Sequence, residues 1–301
     1  MRVGISLTSS RRTDDVRAGA RWMVERAAAA REAGLDSLFV GDHHATPIPY
    51  YQNVPITGRM LAEWGDAPAG CLFLLPLWNP VLLAEQVGTL ASIAQGRFII
   101  QCSLGDDERQ FRAMGASRRT RVRAFEEALD AIRRLLSGET VSSEGLFTFH
   151  DARVNPIPPE PVEFWTGAVA DKALDRAARL TEGWLGSPGL TPDQAAQAVA
   201  YYQERCTVHG REPTAVAVRR DIFVAGSEEE AQHIREASRG YRGFDPSALV
   251  CGTIESVAQS FRDLADMGYT DVIVRHMVDE QDLVLASMAR LKEVRALVRD
   301  A

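Results

Sequence analysis

The sequence predicts a single α/β barrel in which eight parallel strands alternate with helices. Three observations lead to this fold class. Apolar strand candidates alternate with amphipathic helices along the chain, which favours a mostly parallel sheet covered by helices. The number of strand candidates is eight, and a length of 301 residues is normal for such a barrel. We find no internal repeat and no linker, so residues 1–301 are expected to form one domain.

The strand candidates are short apolar runs that follow turn residues or helix ends. They comprise Arg2–Leu7, Ser37–Gly41, Gly70–Leu75, Arg97–Ser103, Val162–Thr166, Gly183–Ser187, Val216–Ala225 and Asp271–Arg275. The helices between them begin and end at recognisable residues. Asn79-Pro80 and Thr191-Pro192 are typical of an N-cap followed by the first helical residue, and Gly34 is suited to a helix C-terminus.

Two segments are longer than the connections that a minimal barrel needs. Ala45–Pro68 is rich in proline, tyrosine and polar residues, and we predict a loop long enough to act as a lid. Thr140–Pro161 contains Phe147 and Phe149 and then four prolines, which predicts a short β excursion followed by a stiff return to the sheet.

Composition limits the functional class. The net charge is −7, and the arginines between residues 118 and 123 are the one basic cluster, which argues against a nucleic-acid partner. The start of the chain lacks the apolar core of a signal peptide, and no run approaches the ~20 apolar residues that cross a bilayer. Four scattered cysteines form no CxxC pair and indicate a reducing compartment. We therefore expect a cytoplasmic protein without a membrane partner.

Asp42-His43-His44 is the clearest sign of chemistry. These residues end the second strand candidate, and active sites of α/β barrels are built at the C-terminal ends of the strands. Imidazole titrates near neutral pH, so one of the histidines is expected to line the site. The alternative is that one histidine caps the loop and the other is solvated. His276 follows the last strand and is a weaker candidate for the same site.

Small residues end two further strands. Ser103-Leu104-Gly105 would let a ligand approach the backbone, although a glycine needed only for packing explains it as well. Thr166-Gly167-Ala168 precedes a helix and combines a hydroxyl with free N–H groups, which suits a phosphate. An ordinary strand–helix turn is the alternative there.

An ordered set of motifs resembles the bacterial luciferase-like monooxygenase superfamily. The set comprises Asp42-His43-His44, Leu75-Pro76-x-x-Asn79-Pro80-Val81, Gly96-Arg97-Phe98, Gly105 with Phe111-Arg112-x-x-Gly115, the 145–161 excursion, Gly183-Trp184 and Gly252-Thr253. The resemblance covers nearly the whole chain. It implies a barrel that binds reduced flavin mononucleotide (FMN), or in a sister branch the deazaflavin coenzyme F420, at the C-terminal ends of the strands.

The resemblance also implies roles for individual residues. His43 matches the catalytic histidine and Asp42 its acidic neighbour, while Cys71-Leu72 matches a position behind the isoalloxazine ring that often carries a non-proline cis peptide. Arg121 and Arg123 resemble arginines near the cofactor phosphate, with a solvated helix start as the alternative. Ser103, Gly105, Thr166, Gly167 and Ala168 complete the expected cofactor site.

The function implied is a monooxygenase that uses diffusible reduced FMN and O₂ on a small organic substrate, with a separate flavin reductase as a partner and a homodimer as the assembly. The chain carries Leu104 where the luciferases have a phosphate-binding arginine. A deazaflavin (F420)-dependent dehydrogenase or reductase is therefore the alternative.

Two other classes remain open. A metal-dependent hydrolase could use Asp42, His43 and His44, but Ser6-Leu7-Thr8 stands where such barrels typically have His-x-His. No metal ligand is therefore predicted. A barrel that binds flavin without turnover is the other possibility.

Overall fold

Eight parallel strands form a closed barrel in the computed structural model, which describes residues 1–10 and 13–299. The strands in chain order are β1 (Arg2–Leu7), β2 (Ser37–Val40), β3 (Ala69–Leu74), β4 (Phe98–Ser103), β5 (Val141–Glu144), β6 (Thr148–Ala152), β7 (Glu163–Gly167), β8 (Gly183–Gly186), β9 (Ala215–Val224), β10 (Val250–Gly252) and β11 (Asp271–His276). Around the barrel the order is β1-β2-β3-β4-β7-β8-β9-β11, and β11 pairs with β1. The predicted α/β barrel and its eight strands are confirmed.

Helices surround the barrel. They are α1 (Val16–Glu32), α2 (Asn53–Trp64), α3 (Pro80–Ile93), α4 (Glu108–Ala113), α5 (Arg121–Leu136), α6 (Asp171–Leu180), α7 (Pro192–Val208), α8 (Glu228–Ala237), α9 (Ile254–Asp266) and α10 (Gln281–Arg299). The predicted caps are present: Asn79 accepts hydrogen bonds from the N–H groups of Val81 and Leu82, and Thr191 forms a capping box with Gln194. Among the described residues, no helix is long and apolar enough to cross a membrane.

Alternation along the strands separates two apolar layers. Phe39, Ile99, Trp165, Ala217 and Ile273 fill the inside of the barrel. Their sequence neighbours on the same strands point outward and join the larger core between the sheet and the helices. Since side chains alternate with a period of two, this pattern also decides which residues face the mouth of the barrel at the strand ends.

The segment Ala45–Pro68 is not one long loop, and that expectation is corrected. Its second half is the barrel helix α2, and only residues 41–52 form a connecting loop. Asn53, Ile56, Met60 and Trp64 are buried on one face of this helix. Pro55 lies in the first turn, where a missing N–H costs no helical hydrogen bond, so the proline is compatible with the helix.

The excursion at Thr140–Pro161 is confirmed as an antiparallel hairpin of β5 and β6. It lies in the long connection from β4 to β7, which also contains α4 and α5. The short strand β10 was not predicted, and it pairs in parallel with the end of β9 at Ile222–Val224. Three residues are too few to show an alternating pattern in the sequence.

Candidate active site

Two cavities open at the C-terminal end of the barrel and form one cleft. The larger, of about 530 Å³, contains His43 and Tyr50, and the smaller, of about 360 Å³, contains Ser103 and Gly167. They are continuous because Leu72 and Arg219 line both. The structure therefore brings His43 and Ser103, which follow strands far apart in the chain, to the same mouth of the barrel.

His43 is exposed in the larger part of the cleft and is held by Gln110 of α4. The Gln110 side-chain oxygen accepts a hydrogen bond of 3.0 Å from the backbone N–H of His44. A backbone N–H can only donate, so this contact determines the orientation of the amide. The Gln110 nitrogen then lies 3.2 Å from Nδ1 of His43 and 3.4 Å from Oδ2 of Asp107.

This contact determines which ring nitrogen of His43 carries the proton. The amide nitrogen is a donor, so Nδ1 of His43 must be the acceptor. A neutral imidazole has one donor and one acceptor nitrogen, and its proton is therefore on Nε2. The ring of Tyr50 packs against the imidazole at 5.6 Å between centroids. His43 consequently presents an N–H donor to the cleft.

Asp42 is buried, and its carboxylate makes structural hydrogen bonds. Oδ2 accepts bonds of 2.8 Å from the backbone N–H of Leu74 and from the indole N–H of Trp78. Oδ1 lies 3.2 Å from Nε2 of His44, which is also buried. These contacts connect the end of β2 to the end of β3. Asp42 thus positions the loop that carries His43.

The smaller part of the cleft combines small and apolar residues. Leu72 and Leu185 provide apolar surface, while Ser103, Gly105 and Gly167 leave the backbone accessible. Gly105 has φ +70°, a conformation that glycine adopts without strain. Ala168 also lines this part, just before α6, and no side chain caps the N-terminus of that helix. Uncapped N–H groups at a helix start attract anions.

Cys71 and Thr166 do not point into the cleft, which corrects the expected orientation of both. Leu72 and Trp165 face the interior, so their neighbours Cys71 and Thr166 face the helices. The Cys71 thiol lies 3.2 Å from the Thr57 hydroxyl of α2, and the Thr166 hydroxyl lies 3.4 Å from the Cys102 thiol. The Cys71–Leu72 peptide bond is trans, not cis.

The two arginines expected near a phosphate take other partners. Arg121 lies 3.5 Å from Asp106 at the rim of the smaller part of the cleft. Arg123 instead pairs with Glu127 at 2.6 Å, on a helix face where Glu127 also accepts a hydrogen bond from the N–H of Leu146 in the hairpin. The structure therefore brings Arg121 close to the cleft and leaves Arg123 outside it.

His276 borders the larger part of the cleft, but its side chain is largely enclosed. It is buried, and its Nε2 lies 3.0 Å from the hydroxyl of Ser287 on α10. Burial, with a contribution from Arg26, lowers the pKa of His276 to about 3, so the ring stays neutral. Tyr50 and Trp78 lie close to His43 and His44 respectively, whereas Trp64 is in the core. Across residues 1–10 and 13–299, no three histidine, cysteine or acidic side chains form a group suited to a metal.

Sequence reasoning missed the charged residues at the ends of β9 and β11. Arg219 and Asp221 continue the inward-facing pattern that begins with Ala217, and Arg275 continues that of Ile273. Arg219 and Arg275 line the cleft, and Asp221 is buried beneath them. The signal was available, because charged residues two and four positions after interior apolar residues must lie at the mouth of the barrel.

Solved structures share this fold along their whole length. The chain superposes with a monooxygenase, RslO1 from Streptomyces bottropensis, at a TM-score of 0.85 and 19% identity, covering 100% of both chains. It also superposes with a type II Baeyer-Villiger monooxygenase of Pseudomonas putida, solved in complex with FMN, at a TM-score of 0.80 and 17% identity, covering 97% of each.

Sequence comparison finds a relative that is named as a dehydrogenase and not as a monooxygenase. An F420-dependent glucose-6-phosphate dehydrogenase of Intrasporangium calvum is 28% identical over 198 residues, which is 60% of this chain and 59% of that protein. The matched segment therefore spans about three fifths of the relative. The family model described as luciferase-like monooxygenase matches residues 1–266. Since this is most of the 301 residues, the chain belongs to the luciferase-like monooxygenase family.

Proposed function

We propose that the protein is a flavin-dependent oxidoreductase, and specifically a monooxygenase that uses reduced FMN and O₂ on a small organic substrate. The observation that carries the proposal is the hydrogen bond between Gln110 and His43, which leaves an N–H donor directed at the cleft. Such a donor stabilises negative charge that develops on an oxygen atom during the reaction.

The cleft fits the cofactor. Leu72 and Leu185 provide apolar surface for a flat ring system. The small residues Ser103, Gly105 and Gly167 leave room for the ring to approach the backbone. The uncapped start of α6 at Asp171, reached through Ala168 and Val169, suits the phosphate. Bound there, reduced FMN supplies the electrons that activate O₂.

The side chains of this protein stabilise developing negative charge and hold the groups that do so in position. His43 donates its Nε2 proton or hydrogen bond to a developing oxyanion, a role that typically contributes 10²–10⁴-fold in rate. Gln110 holds the ring in this tautomer, and Asp42 holds the loop through the N–H groups of Leu74 and Trp78. Tyr50 packs against one side of the imidazole.

A deazaflavin-dependent dehydrogenase is the second candidate. It is supported by the name of the Intrasporangium calvum relative and by Leu104, which brings no charge to the cofactor site. Oxidation of an alcohol requires a group that takes up the hydroxyl proton. His43 is poorly arranged for this, because Nδ1 accepts from Gln110 and Nε2 already carries a proton.

Dissociation constants for the two cofactors test the proposal. We expect reduced FMN to bind reversibly, with the protein isolated largely free of it, and O₂ consumption to depend on substrate. Anaerobic titration of reduced FMN and of F420 measures both affinities. Micromolar binding of F420 without detectable binding of reduced FMN would overturn the monooxygenase and leave the dehydrogenase or reductase.

A diffusible reduced cofactor requires a source, so we also propose a separate flavin reductase as partner and a homodimer as the working assembly. Size-exclusion chromatography with light scattering measures the assembly. Coupled turnover with a flavin reductase, compared with turnover on chemically reduced FMN, tests whether the reductase serves only as the supplier.

A further inference from the structure

Three arginines surround one buried carboxylate in the larger part of the cleft. Arg275 of β11 donates a hydrogen bond to Oδ2 of Asp221 on β9. Arg242, in the loop after α8, lies 3.6 Å from the same oxygen, and Arg219 lies 4.0 Å from Oδ1. Asp221 is fully buried, whereas all three guanidinium groups line the cleft. Three cations around one anion leave a local excess of two positive charges.

This excess is local to the cluster of three arginines. Asp42 and Asp279 also line this part. The carboxylate of Asp42 is already engaged with the N–H groups of Leu74 and Trp78, and Asp279 is an exposed residue. Within the described part of the chain, Asp42 forms no ion pair with Arg219, Arg242 or Arg275.

Arg219 retains unused hydrogen-bonding capacity. Its Nε is buried and has no hydrogen-bond partner among the described residues, and its contact with Asp221 is too long for a hydrogen bond. Burial and the neighbouring Arg275 lower the pKa of Arg219 to about 10, so the side chain is still charged at neutral pH. A buried donor without a partner costs free energy, which a bound acceptor would recover.

The position of the arginines relates them to the substrate. All three share the larger part of the cleft with His43 and Tyr50. Arg219 also borders the smaller part, which contains the residues before α6 that are proposed for the cofactor phosphate. Tyr241 lines the same part, and its hydroxyl lies 3.4 Å from Arg275. A group held by these arginines would place the rest of a small molecule beside the N–H of His43.

We propose that Arg219, Arg242 and Arg275 bind an oxyanion group of the substrate, so that the natural substrate is an organic acid carrying a carboxylate, sulfonate or phosphate. The assignment to the substrate rests on the proposed function. The guanidinium fork matches the geometry of such oxyanions, and hydrogen bonds between opposite charges are the strong ones.

Direct binding of simple anions tests the site without turnover. Calorimetric titration in chloride-free buffer would use benzoate as the planar probe, sulfate as the tetrahedral probe and benzyl alcohol as the neutral control. The variants Arg219→Gln and Arg242→Gln each remove one cation without breaking the Arg275–Asp221 pair. Arg239→Gln is the matched control, because this exposed arginine does not line the cleft.

We expect saturable binding of at least one anion to the parent and to Arg239→Gln, with affinity reduced tenfold or more in Arg219→Gln and Arg242→Gln. Benzyl alcohol should bind much more weakly than benzoate. Affinity for reduced FMN in Arg242→Gln should stay within about twofold of the parent.

Absence of anion binding in the parent, or equal binding in all variants, would overturn the inference. Loss of FMN affinity in Arg242→Gln with unchanged affinity for riboflavin would show that these arginines hold the cofactor phosphate instead. Anion binding without binding of either cofactor would contradict the proposed function but leave the oxyanion site intact.

Discussion

Replacing Gln110 by glutamate should reverse the hydrogen-bonding polarity of His43. The two side chains have the same shape, and one carboxylate oxygen can still accept from the backbone N–H of His44, now 3.0 Å from the amide oxygen. The second oxygen takes the place of the amide nitrogen, 3.2 Å from Nδ1 of His43. An oxygen there requires a donor, so the ring proton moves to Nδ1 and Nε2 becomes an acceptor.

The expected loss follows from the missing donor. Removing one hydrogen bond to a developing oxyanion typically lowers kcat by about 10²–10³-fold, or roughly 2.7–4 kcal/mol. Asp107 lies 3.4 Å from the same position and would repel the new carboxylate. The companion variant Asp107→Asn with Gln110→Glu removes this repulsion, so a similar loss in both variants attributes the effect to the tautomer.

Imidazole ¹⁵N chemical shifts of His43 measure the tautomer directly, alongside kcat with reduced FMN. We expect the proton on Nε2 in the parent and on Nδ1 in Gln110→Glu, and a ring without preference in Gln110→Met. A parent spectrum with the proton on Nδ1 would refute the reasoning, as would unchanged kcat in Gln110→Glu.

Three further predictions follow from the same contacts. His43→Ala should lower turnover by about 10²-fold or more while cofactor affinity changes little, and equal kinetics in mutant and parent would assign His43 a structural role. Asp42→Ala leaves the N–H groups of Leu74 and Trp78 without their acceptor and should reduce the free energy of unfolding by about 2–4 kcal/mol in urea titrations. His276 binds a proton near its usual pKa of 6.5 in the unfolded chain, but only near pH 3 in the folded protein. The free energy of unfolding should therefore fall as the pH drops below 6.5, by roughly 1.4 kcal/mol per pH unit. His276→Gln should flatten this dependence, and an unchanged slope between pH 7 and pH 5 would contradict the assignment.

The expectations that failed have two causes. The resemblance puts Cys71 and Thr166 at the cofactor site, yet a position along a strand does not by itself say to which side a side chain points. Their thiol and hydroxyl contact Thr57 and Cys102 in the layer under the helices. Helix α2 was overlooked because Pro55 and the preceding tyrosines are typical of loops, although Ile56, Met60 and Trp64 follow a helical period.

The sequence by itself determined the barrel, the order of its eight barrel strands, and the position of His43 at a strand end. These features depend on local signals, namely apolar periodicity, caps and turn residues, which are read within a few residues. Only the tertiary structure decided that Gln110 faces His43 across 67 positions of sequence and that Arg242 joins Arg219 and Arg275. Such contacts depend on barrel closure and strand register, which are set by packing between distant segments and leave no pattern in any one segment.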